Sequence, residues 1–275
     1  MRSAAPTGPR LSSAKVISST SNQRVKDVVR LRKRRDRDET GLFVVEGRRE
    51  LRRAIDAGCR VDQIFVCPSL ASPDEWHGAG IDVAQVSDSV FDRLSGREGP
   101  DGVLGVAHAF DTTLGSLRVG DPALVLVITE IEKPGNLGAM IRTAAATGAS
   151  VIVADPVTDL FNPNVVRASQ GALFSVPIAA TSSGEAIAWL TANGVQILAT
   201  TPSAAVPYWT VPTVAPTAIV IGAEDTGLGD DWLSAADHRV LIPMASFDGT
   251  DSLNAASAAA IVLFDAVRQR AVYER

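Results

Sequence analysis

Apolar and polar residues alternate in regular blocks through the second half of the chain, from about residue 121 onward. Aliphatic runs predict strands at Leu124–Thr129, Val151–Ala154, Val195–Thr200, Ala218–Gly222 and Val240–Ile242. Segments with helical spacing of apolar residues predict helices at Leu137–Thr147, Ser183–Asn193, Asp230–Ala235 and Asn254–Arg270. Strands that alternate with helices predict an α/β domain over residues 121–275, with a parallel sheet covered on both faces.

The first half predicts a smaller α/β module over residues 21–112. Its first helix begins after Ser21 or Asn22, continues through Arg35 and ends at Gly41. The remaining elements are strands at Leu42–Val45, Ile64–Val66, Val83–Val86 and Val103–Ala107, a helix at Arg48–Ala57 and a helical turn at Val90–Leu94. Residues 1–20 are rich in Ser, Ala, Pro and Thr, and we expect them to be a disordered tail.

Composition supports this architecture and narrows the chemistry. Hydrophobic residues make up 46% of the chain and aromatic residues 5%, so the core rests on aliphatic side chains, as in parallel sheets. The two cysteines fit neither a zinc pattern nor a disulfide framework, and the three histidines are scattered. We therefore expect no metal. The sequence has neither a signal peptide nor an apolar run of membrane-spanning length, so we expect a cytoplasmic protein with no membrane partner.

The charge is divided unevenly along the chain. The formal net charge is −5, yet residues 1–40 carry eight Arg and three Lys against four acidic residues. Such a division indicates a basic arm that binds a polyanion, attached to an acidic body. The predicted RNA-binding residues of this basic arm are Arg30, Arg32, Lys33, Arg34 and Arg35. The alternative is a solvated helix face.

Three loops at predicted strand ends combine glycines with polar residues. The first contains Asn136 and Gly138, with Arg142 nearly two helical turns further on. Alone, this loop is weak evidence for a functional site, because a glycine is common at such a turn and Asn136 can simply cap the helix. The second runs from Gly222 through Glu224 to Gly227, beyond a strand end where parallel sheets bind ligands, although Glu224 can equally be a helix-start acid.

The third loop joins Ile242-Pro243-Met244 to Ser252-Leu253-Asn254, which opens the last helix. Ser252 or Asn254 is a natural helix cap. Exposed apolar residues at a strand end need a further reason, and they suit the wall of a site for a purine or a thioether.

Together, the three loops resemble the SpoU family of RNA ribose methyltransferases, within the SPOUT superfamily. The family's motifs are matched in order by Asn136-x-Gly138-x-x-x-Arg142, Gly222-x-Glu224-x-x-Gly227-Leu228, and Ile242-Pro243-Met244 with Ser252-Leu253-Asn254. The first module, from Asn22 and including Phe43 to Gly47, resembles the family's ribosomal-protein-like substrate-binding domain. The basic arm joined to such a body is also similar to ribosomal RNA methyltransferases that give antibiotic-producing bacteria self-resistance.

The resemblance implies a trefoil-knotted catalytic domain that binds S-adenosyl-L-methionine, preceded by an RNA-binding domain, in a homodimer joined through the knotted domain. By position, the cofactor-binding residues are Thr200, Gly222, Gly227, Ile242, Met244 and Leu253. The implied catalytic residues are Arg142, Asn136, Glu224, Ser252 and Asn254. An arginine guanidinium stays charged in proteins, so we expect Arg142 to stabilise a phosphate or a developing alkoxide rather than to remove a proton.

The function that the resemblance implies is methylation of a ribose 2′-hydroxyl in ribosomal RNA, with the 23S molecule as the expected substrate. A non-catalytic RNA-binding protein is the main alternative, and it would have no use for all three loops. A nucleotide-dependent oxidoreductase is the second alternative. It predicts a G-x-G-x-x-G segment after an early strand, and the sequence contains none.

Overall fold

The computed structural model describes residues 16–76, 80–245 and 253–273. The helices are α1 Gln23–Arg30, α2 Arg34–Thr40, α3 Arg48–Asp56, α4 Asp88–Leu94, α5 Pro134–Thr147, α6 Pro163–Ala168, α7 Ser183–Ala192, α8 Asp230–Ala235 and α9 Ala255–Tyr273. The strands are β1 Leu42–Glu46, β2 Val61–Val66, β3 Asp82–Gln85, β4 Val103–His108, β5 Leu124–Thr129, β6 Ser150–Ala154, β7 Ile178–Thr181, β8 Gln196–Thr200, β9 Val206–Pro207, β10 Thr217–Ile221 and β11 His238–Leu241.

The N-terminal domain has a four-stranded sheet in the order β1-β4-β2-β3. Strand β4 pairs antiparallel with both β1 and β2, and β2 pairs parallel with β3. Because side chains alternate along a strand, Phe65 packs with residues of α1 and α4 on one face, whereas Ile64 packs with Leu51 of α3 on the other. The predicted small α/β module is therefore present.

Two expectations for the N-terminal segment are wrong. The single helix predicted from Asn22 to Gly41 is two helices, because Lys33 has an extended backbone between α1 and α2, although the predicted end at Gly41 is confirmed. The break keeps Leu31 in the core, and the Leu31 carbonyl accepts a hydrogen bond from Arg37 Nη1 at 2.8 Å. The predicted disordered tail does not reach residue 20, since Ile17 forms a parallel bridge with Val86. Residues 1–15 lie outside the described part of the chain.

The C-terminal domain has a seven-stranded parallel sheet in the order β7-β6-β5-β10-β8-β11-β9. Helices α5 and α9 contribute to the core on one face, and α7 and α8 to the core on the other. This confirms the predicted parallel sheet with helices on both faces. The prediction missed β7, β9 and α6. The trefoil knot depends on the whole path between β11 and α9, of which residues 246–252 lie outside the description, so the knot remains a prediction.

The two domains share one hydrophobic core. Phe43 of β1 lies 4.8 Å from the Phe161 ring and 6.3 Å from the Phe174 ring, between centroids, and Phe110 meets Phe161 edge-on at 5.1 Å. These contacts fix the N-terminal domain against the segment that follows β6. Among the described helices, none has the length and apolar character needed to span a bilayer.

Candidate active site

A cavity of about 550 Å³ lies at the carboxyl ends of β8, β10 and β11. Its size is typical of small-molecule sites, which hold about 300–1,000 Å³. Six of its lining residues are the positions that the resemblance assigns to the cofactor, namely Thr200, Gly222, Gly227, Ile242, Met244 and Leu253. The two later loops, remote along the chain, therefore form one cavity. The functional role of these six residues remains a prediction.

The loop after β10 forms one wall of this cavity through its backbone. Ala223 and Gly227 exchange two backbone hydrogen bonds of 3.1 Å, which close a tight turn. Gly227 has φ of +72°, a conformation that favours glycine. A Cβ atom on Gly222 would lie 2.3 Å from the Gly227 carbonyl oxygen, so only glycine fits at this position. The sequence thus dictates a narrow turn with exposed peptide groups.

The opposite side of the cavity is apolar. Ile242, Met244 and Leu253 line it, and the last two side chains remain 38% and 39% exposed. The Thr200 hydroxyl donates to the Val220 carbonyl at 2.7 Å, which ties the end of β8 to β10. Peptide groups on one side and exposed apolar side chains on the other suit a flat, partly polar ligand.

The first loop meets the third at a pair of asparagines. Asn254 Nδ2 donates to Asn136 Oδ1 at 3.1 Å, and Asn254 stands between the cavity residues Leu253 and Ala255. One interpretation of the sequence made Asn136 the N-cap of its helix, but it does not have that role. The helix α5 starts at Pro134 with Lys133 as the N-cap residue, so the Asn136 side chain is left to face Asn254. Ser252 lies outside the described residues.

The orientation of both amides follows from the start of α9. Asn254 Oδ1 accepts from the backbone N–H groups of Ala256 at 3.0 Å and Ser257 at 3.3 Å. Its Nδ2 must therefore face Asn136 Oδ1, which in turn fixes Nδ2 of Asn136. That nitrogen is buried and has no hydrogen-bond partner within the described residues. An unpaired buried donor is unfavourable by about 1–3 kcal/mol, so this position calls for an acceptor.

Lys133 links the first loop to the second, and the sequence analysis missed it. Lys133 Nζ donates to Glu224 Oε2, and the carboxylate raises the pKa of the lysine through this hydrogen bond and its charge. Glu224 lines the cavity and does not begin a helix, since α8 starts at Asp230. The opposite charges of Glu224 and Lys133 were the only signal in the sequence that the two residues could pair. The fold is needed to show that their loops meet.

Arg142 stands apart from the cavity. It is exposed on α5, is not among the residues that line the cavity, and has no described hydrogen-bond or ion-pair partner. The structure therefore brings Asn136, Glu224 and Asn254 together, but it does not bring the Arg142 guanidinium to the cavity of its own chain. Its catalytic role remains a prediction.

The basic arm forms several contacts within the protein. Arg30 Nε donates to Asp36 Oδ1 at 2.9 Å, and Arg35 Nε donates to Glu39 Oε1 at 2.7 Å. Lys33 is exposed between α1 and α2. The Arg35–Glu39 pair is exposed at both ends, where ion pairs contribute little to stability and water competes with them, whereas Asp36 is 13% exposed.

The other two arginines of the arm contact backbone carbonyls. Arg32 Nη2 donates to the last carbonyls of α4, including Ser95 at 2.6 Å. Arg34 Nη1 donates to the Val157 carbonyl at 3.2 Å, in the loop after β6. Arg34 therefore links the arm to the catalytic domain, while residues 32–35 remain exposed, and the RNA-binding role of the arm remains a prediction.

Comparison with known proteins identifies the family to which both domains are similar. The SpoU rRNA Methylase family profile matches residues 123–264, and that of an MRM3-like substrate binding domain matches residues 22–105. A 23S rRNA (guanosine(2553)-2′-O)-methyltransferase of Bacillus subtilis is 31% identical over 251 residues, 91% of this chain and 98% of the relative. A 23S rRNA (uridine(2479)-2′-O)-methyltransferase of Streptomyces viridochromogenes is 30% identical over 276 residues, 96% and 95% of the two chains.

A solved structure shows the same architecture with a cofactor bound. The SpoU methyltransferase AviRb from Streptomyces viridochromogenes, in complex with S-adenosylmethionine, superposes with a TM-score of 0.83 at 29% identity, covering 91% of this chain and all (100%) of that one. The matches extend over both domains and nearly the full length of each relative. The chain belongs to the SpoU rRNA methylase family of RNA 2′-O-ribose methyltransferases.

Proposed function

We propose that this protein transfers a methyl group from S-adenosylmethionine to a ribose 2′-hydroxyl in 23S ribosomal RNA, in the cytoplasm. The observation that carries the proposal is the hydrogen bond between Asn254 and Asn136. It joins the first loop to the edge of the cavity formed by the other two. A protein that only bound RNA would not need this arrangement.

The cavity fits S-adenosylmethionine. Peptide groups of the loop from Gly222 to Gly227 can pair with the polar edge of an adenine, and Ile242, Met244 and Leu253 can cover its faces. The absence of room for a Cβ on Gly222 allows the backbone to lie close to a ligand. When bound, the cofactor supplies an electrophilic methyl carbon attached to a positively charged sulfur.

The asparagine pair can position the ribose. The backbone of α9 orients Asn254, Asn254 orients Asn136, and Asn136 Nδ2 is left without an acceptor among the described residues. A ribose or phosphate oxygen would supply that acceptor. Fixed donors of this kind favour a geometry close to the transition state and need no reorganisation during the reaction.

The remaining catalytic residues would act around this pair. Lys133 restrains Glu224 at the cavity edge, and Ser252 precedes Leu253 at the other side. Arg142 would stabilise the phosphate or the developing alkoxide, which favours loss of the hydroxyl proton without a protein base. Its exposed position means that the RNA or a second protein copy must complete this part of the site.

A homodimer through the knotted domain would supply that second copy. Phe264 of α9 and Trp209 leave about half of their surfaces exposed, at 51% and 50%, and Val206 of β9 is 43% exposed. The α9 helix lies beside the segment that carries Trp209. Large apolar groups exposed on one region mark an interaction surface, and a second copy of this domain would cover them.

The proposal is tested by transfer of a labelled methyl group. The full-length protein and labelled S-adenosylmethionine are incubated with 23S rRNA from cells that lack this gene, and the modified nucleotide is mapped by its resistance to alkaline hydrolysis. We expect one 2′-O-methylated position. The two relatives act on a guanosine and a uridine, so mapping decides the base.

Two results would overturn this function. Absence of S-adenosylmethionine binding in calorimetry, with RNA binding retained, would favour the non-catalytic alternative. Transfer to a base instead of the ribose would contradict the reaction. Susceptibility of cells with and without the gene to ribosome-directed antibiotics then separates a resistance role from constitutive rRNA maturation.

A further inference from the structure

A second cleft lies where the N-terminal and catalytic domains meet. Its volume is about 270 Å³. The N-terminal domain contributes Arg32, Glu46 and Gly96 to this interdomain cleft, and α6 with its N-cap residue contributes Asn162, Asn164 and Arg167. Each domain therefore provides one guanidinium to a cleft whose other lining residues are apolar or neutral polar, apart from Glu46.

The one carboxylate in the lining is neutralised from within the protein. Glu46 is 6% exposed, and it accepts hydrogen bonds from Ser95 Oγ at 2.5 Å and from the Gly96 N–H at 3.0 Å. Arg97 Nε lies 3.7 Å from the same side chain. The balance of charge that faces the interdomain cleft is consequently positive.

Both guanidiniums are held in place with donor groups to spare. All described hydrogen bonds of Arg32 use Nη2 and end on the carbonyls that close α4. Arg167 Nη2 donates to Asn164 Oδ1 at 2.6 Å, and its Nη1 lies 3.5 Å from the Gly96 carbonyl. Within the described part of the chain, Nε of both arginines has no hydrogen-bond partner. Restrained guanidiniums with unused N–H groups suit phosphate oxygens.

The loop after β6 links the wall of the interdomain cleft to the segment that precedes α5. Thr158 Oγ1 donates to the Glu132 carbonyl at 2.5 Å, which joins this loop to the one that carries Asn136. The same loop continues into Asn162 at the cleft wall. A Cβ on Gly138 of α5 would lie 2.5 Å from Ala168 Cβ, so the helices that carry Asn136 and Arg167 touch directly.

We propose that the interdomain cleft binds a backbone phosphate of the RNA strand that flanks the methylated nucleotide, with Arg32 and Arg167 as its ligands. The inference rests on the proposed function, because it takes RNA as the substrate. A strand that enters the catalytic site at Asn136 and crosses the loop after β6 reaches this cleft next. Phosphate contacts position a nucleic acid without reading its sequence, so the cleft would set the register of the target ribose.

The test measures binding of a labelled, unmodified 23S rRNA transcript to the full-length protein over a series of KCl concentrations. Arg167→Gln removes one cleft charge, and Asn164→Asp places a carboxylate beside Arg167 at an exposed position that tolerates it. Arg268→Gln on α9 is the matched control, because it removes an equal positive charge that does not line the cleft. Thermal unfolding checks that all variants fold.

We expect Arg167→Gln to reduce the slope of log affinity against log salt by about one, the effect of losing one phosphate contact. Asn164→Asp should reduce it similarly, and Arg268→Gln should leave it unchanged. Methyl transfer at low RNA concentration should fall in parallel with binding. The salt slope reports the phosphate contact itself, which a purely structural role of Arg167 would not alter.

Equal slopes for Arg167→Gln, Asn164→Asp and the control, in protein that methylates RNA normally, would overturn the cleft assignment and leave the proposed function intact. A wild-type protein that transfers no methyl group, yet loses one unit of slope on Arg167→Gln, would overturn the proposed function and support the cleft. The two hypotheses therefore fail separately.

Discussion

At the scale of single residues, Gly222 is the position where the shape of the cavity wall depends most directly on the type of amino acid. The turn after β10 places the Gly227 carbonyl where any Cβ at position 222 would be, 2.3 Å away. Side-chain atoms cannot approach a backbone oxygen so closely, and a rigid turn between strand and loop leaves little room to move. A motif glycine here is required by contact with the backbone rather than by φ.

We predict that Gly222→Ala weakens S-adenosylmethionine binding by at least about tenfold, equivalent to about 1.4 kcal/mol. The added methyl group must displace the turn that forms the cavity wall. Isothermal calorimetry measures the affinity, and chemical unfolding measures the accompanying loss of stability. Gly184→Ala is the control, because nothing lies within 4 Å of a Cβ there. Equal affinities for both variants would contradict this account of the cavity.

The cavity residues could be predicted individually because each belongs to a motif that ends a buried strand. Lys133 and Arg167 could not, because their importance depends on partners that only the fold brings near, Glu224 for one and the interdomain cleft for the other. The sequence around a charged residue does not show which groups it will contact in the folded protein. Arg142 illustrates the converse, since its motif position does not show that it is exposed.

At the scale of secondary structure, helix starts were the least predictable feature. The apolar pattern of α5 begins at Leu137, but Pro134 at the first turn already sets the helical backbone, so Asn136 lies inside the helix. The same signal precedes α6, where Asn162 caps the helix and Pro163 begins it, and it could have revealed that helix. Strand β7, which has four residues, was also missed.

The contact between α5 and α6 holds the catalytic loop in position. A Cβ on Gly138 would lie 2.5 Å from Ala168 Cβ and 2.8 Å from the Ser169 nitrogen. We predict that Gly138→Ala lowers the free energy of unfolding by about 1–3 kcal/mol, as overpacking does, and reduces kcat more than it weakens cofactor binding. Urea unfolding measures the stability, methyl transfer at saturating substrates measures kcat, and calorimetry measures cofactor binding.

Gly135→Ala serves as the comparison for this substitution. It lies one turn away on the same helix, and a Cβ there has open space. Its stability should equal or exceed that of the wild type, since alanine favours a helix more than glycine does. If both substitutions had equal effects, helix propensity and not the α5–α6 contact would control the loop.

At the scale of the whole molecule, the exposed position of Arg142 predicts complementation between copies. In a homodimer assayed at an S-adenosylmethionine concentration well below the Kd of Gly222→Ala, Arg142→Ala and Gly222→Ala would each have low activity alone. If Arg142 serves the cavity of the other copy, mixed dimers contain one intact site and recover activity. Methyl transfer after co-refolding the two variants measures this. No recovery, in dimers confirmed by sedimentation, would place Arg142 with its own cavity or with the RNA.

The sequence predicts two domains but not how they pack together. Phe43, Phe161 and Phe174 look like ordinary core residues of separate modules, yet they form one shared cluster. Arg37 is equally inconspicuous among the arginines of the basic arm. The structure buries it in an ion pair with Asp159 of the catalytic domain, with side chains 4% and 15% exposed. Composition cannot separate a buried arginine from its solvated neighbours.

This ion pair should decide whether the two domains unfold together. We predict that Arg37→Met destabilises the protein by about 3–5 kcal/mol, because it leaves Asp159 with an unpaired buried charge. Adding Asp159→Asn removes that charge and should restore most of the loss. Arg35→Met breaks the exposed pair with Glu39 and should change stability by less than about 1 kcal/mol.

Scanning calorimetry measures all three variants. The shared aromatic cluster and the buried pair predict one cooperative transition in the wild type and two transitions in Arg37→Met, with the N-terminal domain melting first. If Arg37→Met kept a single transition and lost no more stability than Arg35→Met, the remaining contacts between the domains, with the aromatic cluster among them, would be enough to hold the domains together. The interdomain cleft would then keep its shape without the ion pair, since the aromatic contacts on the β1 side fix the same two walls.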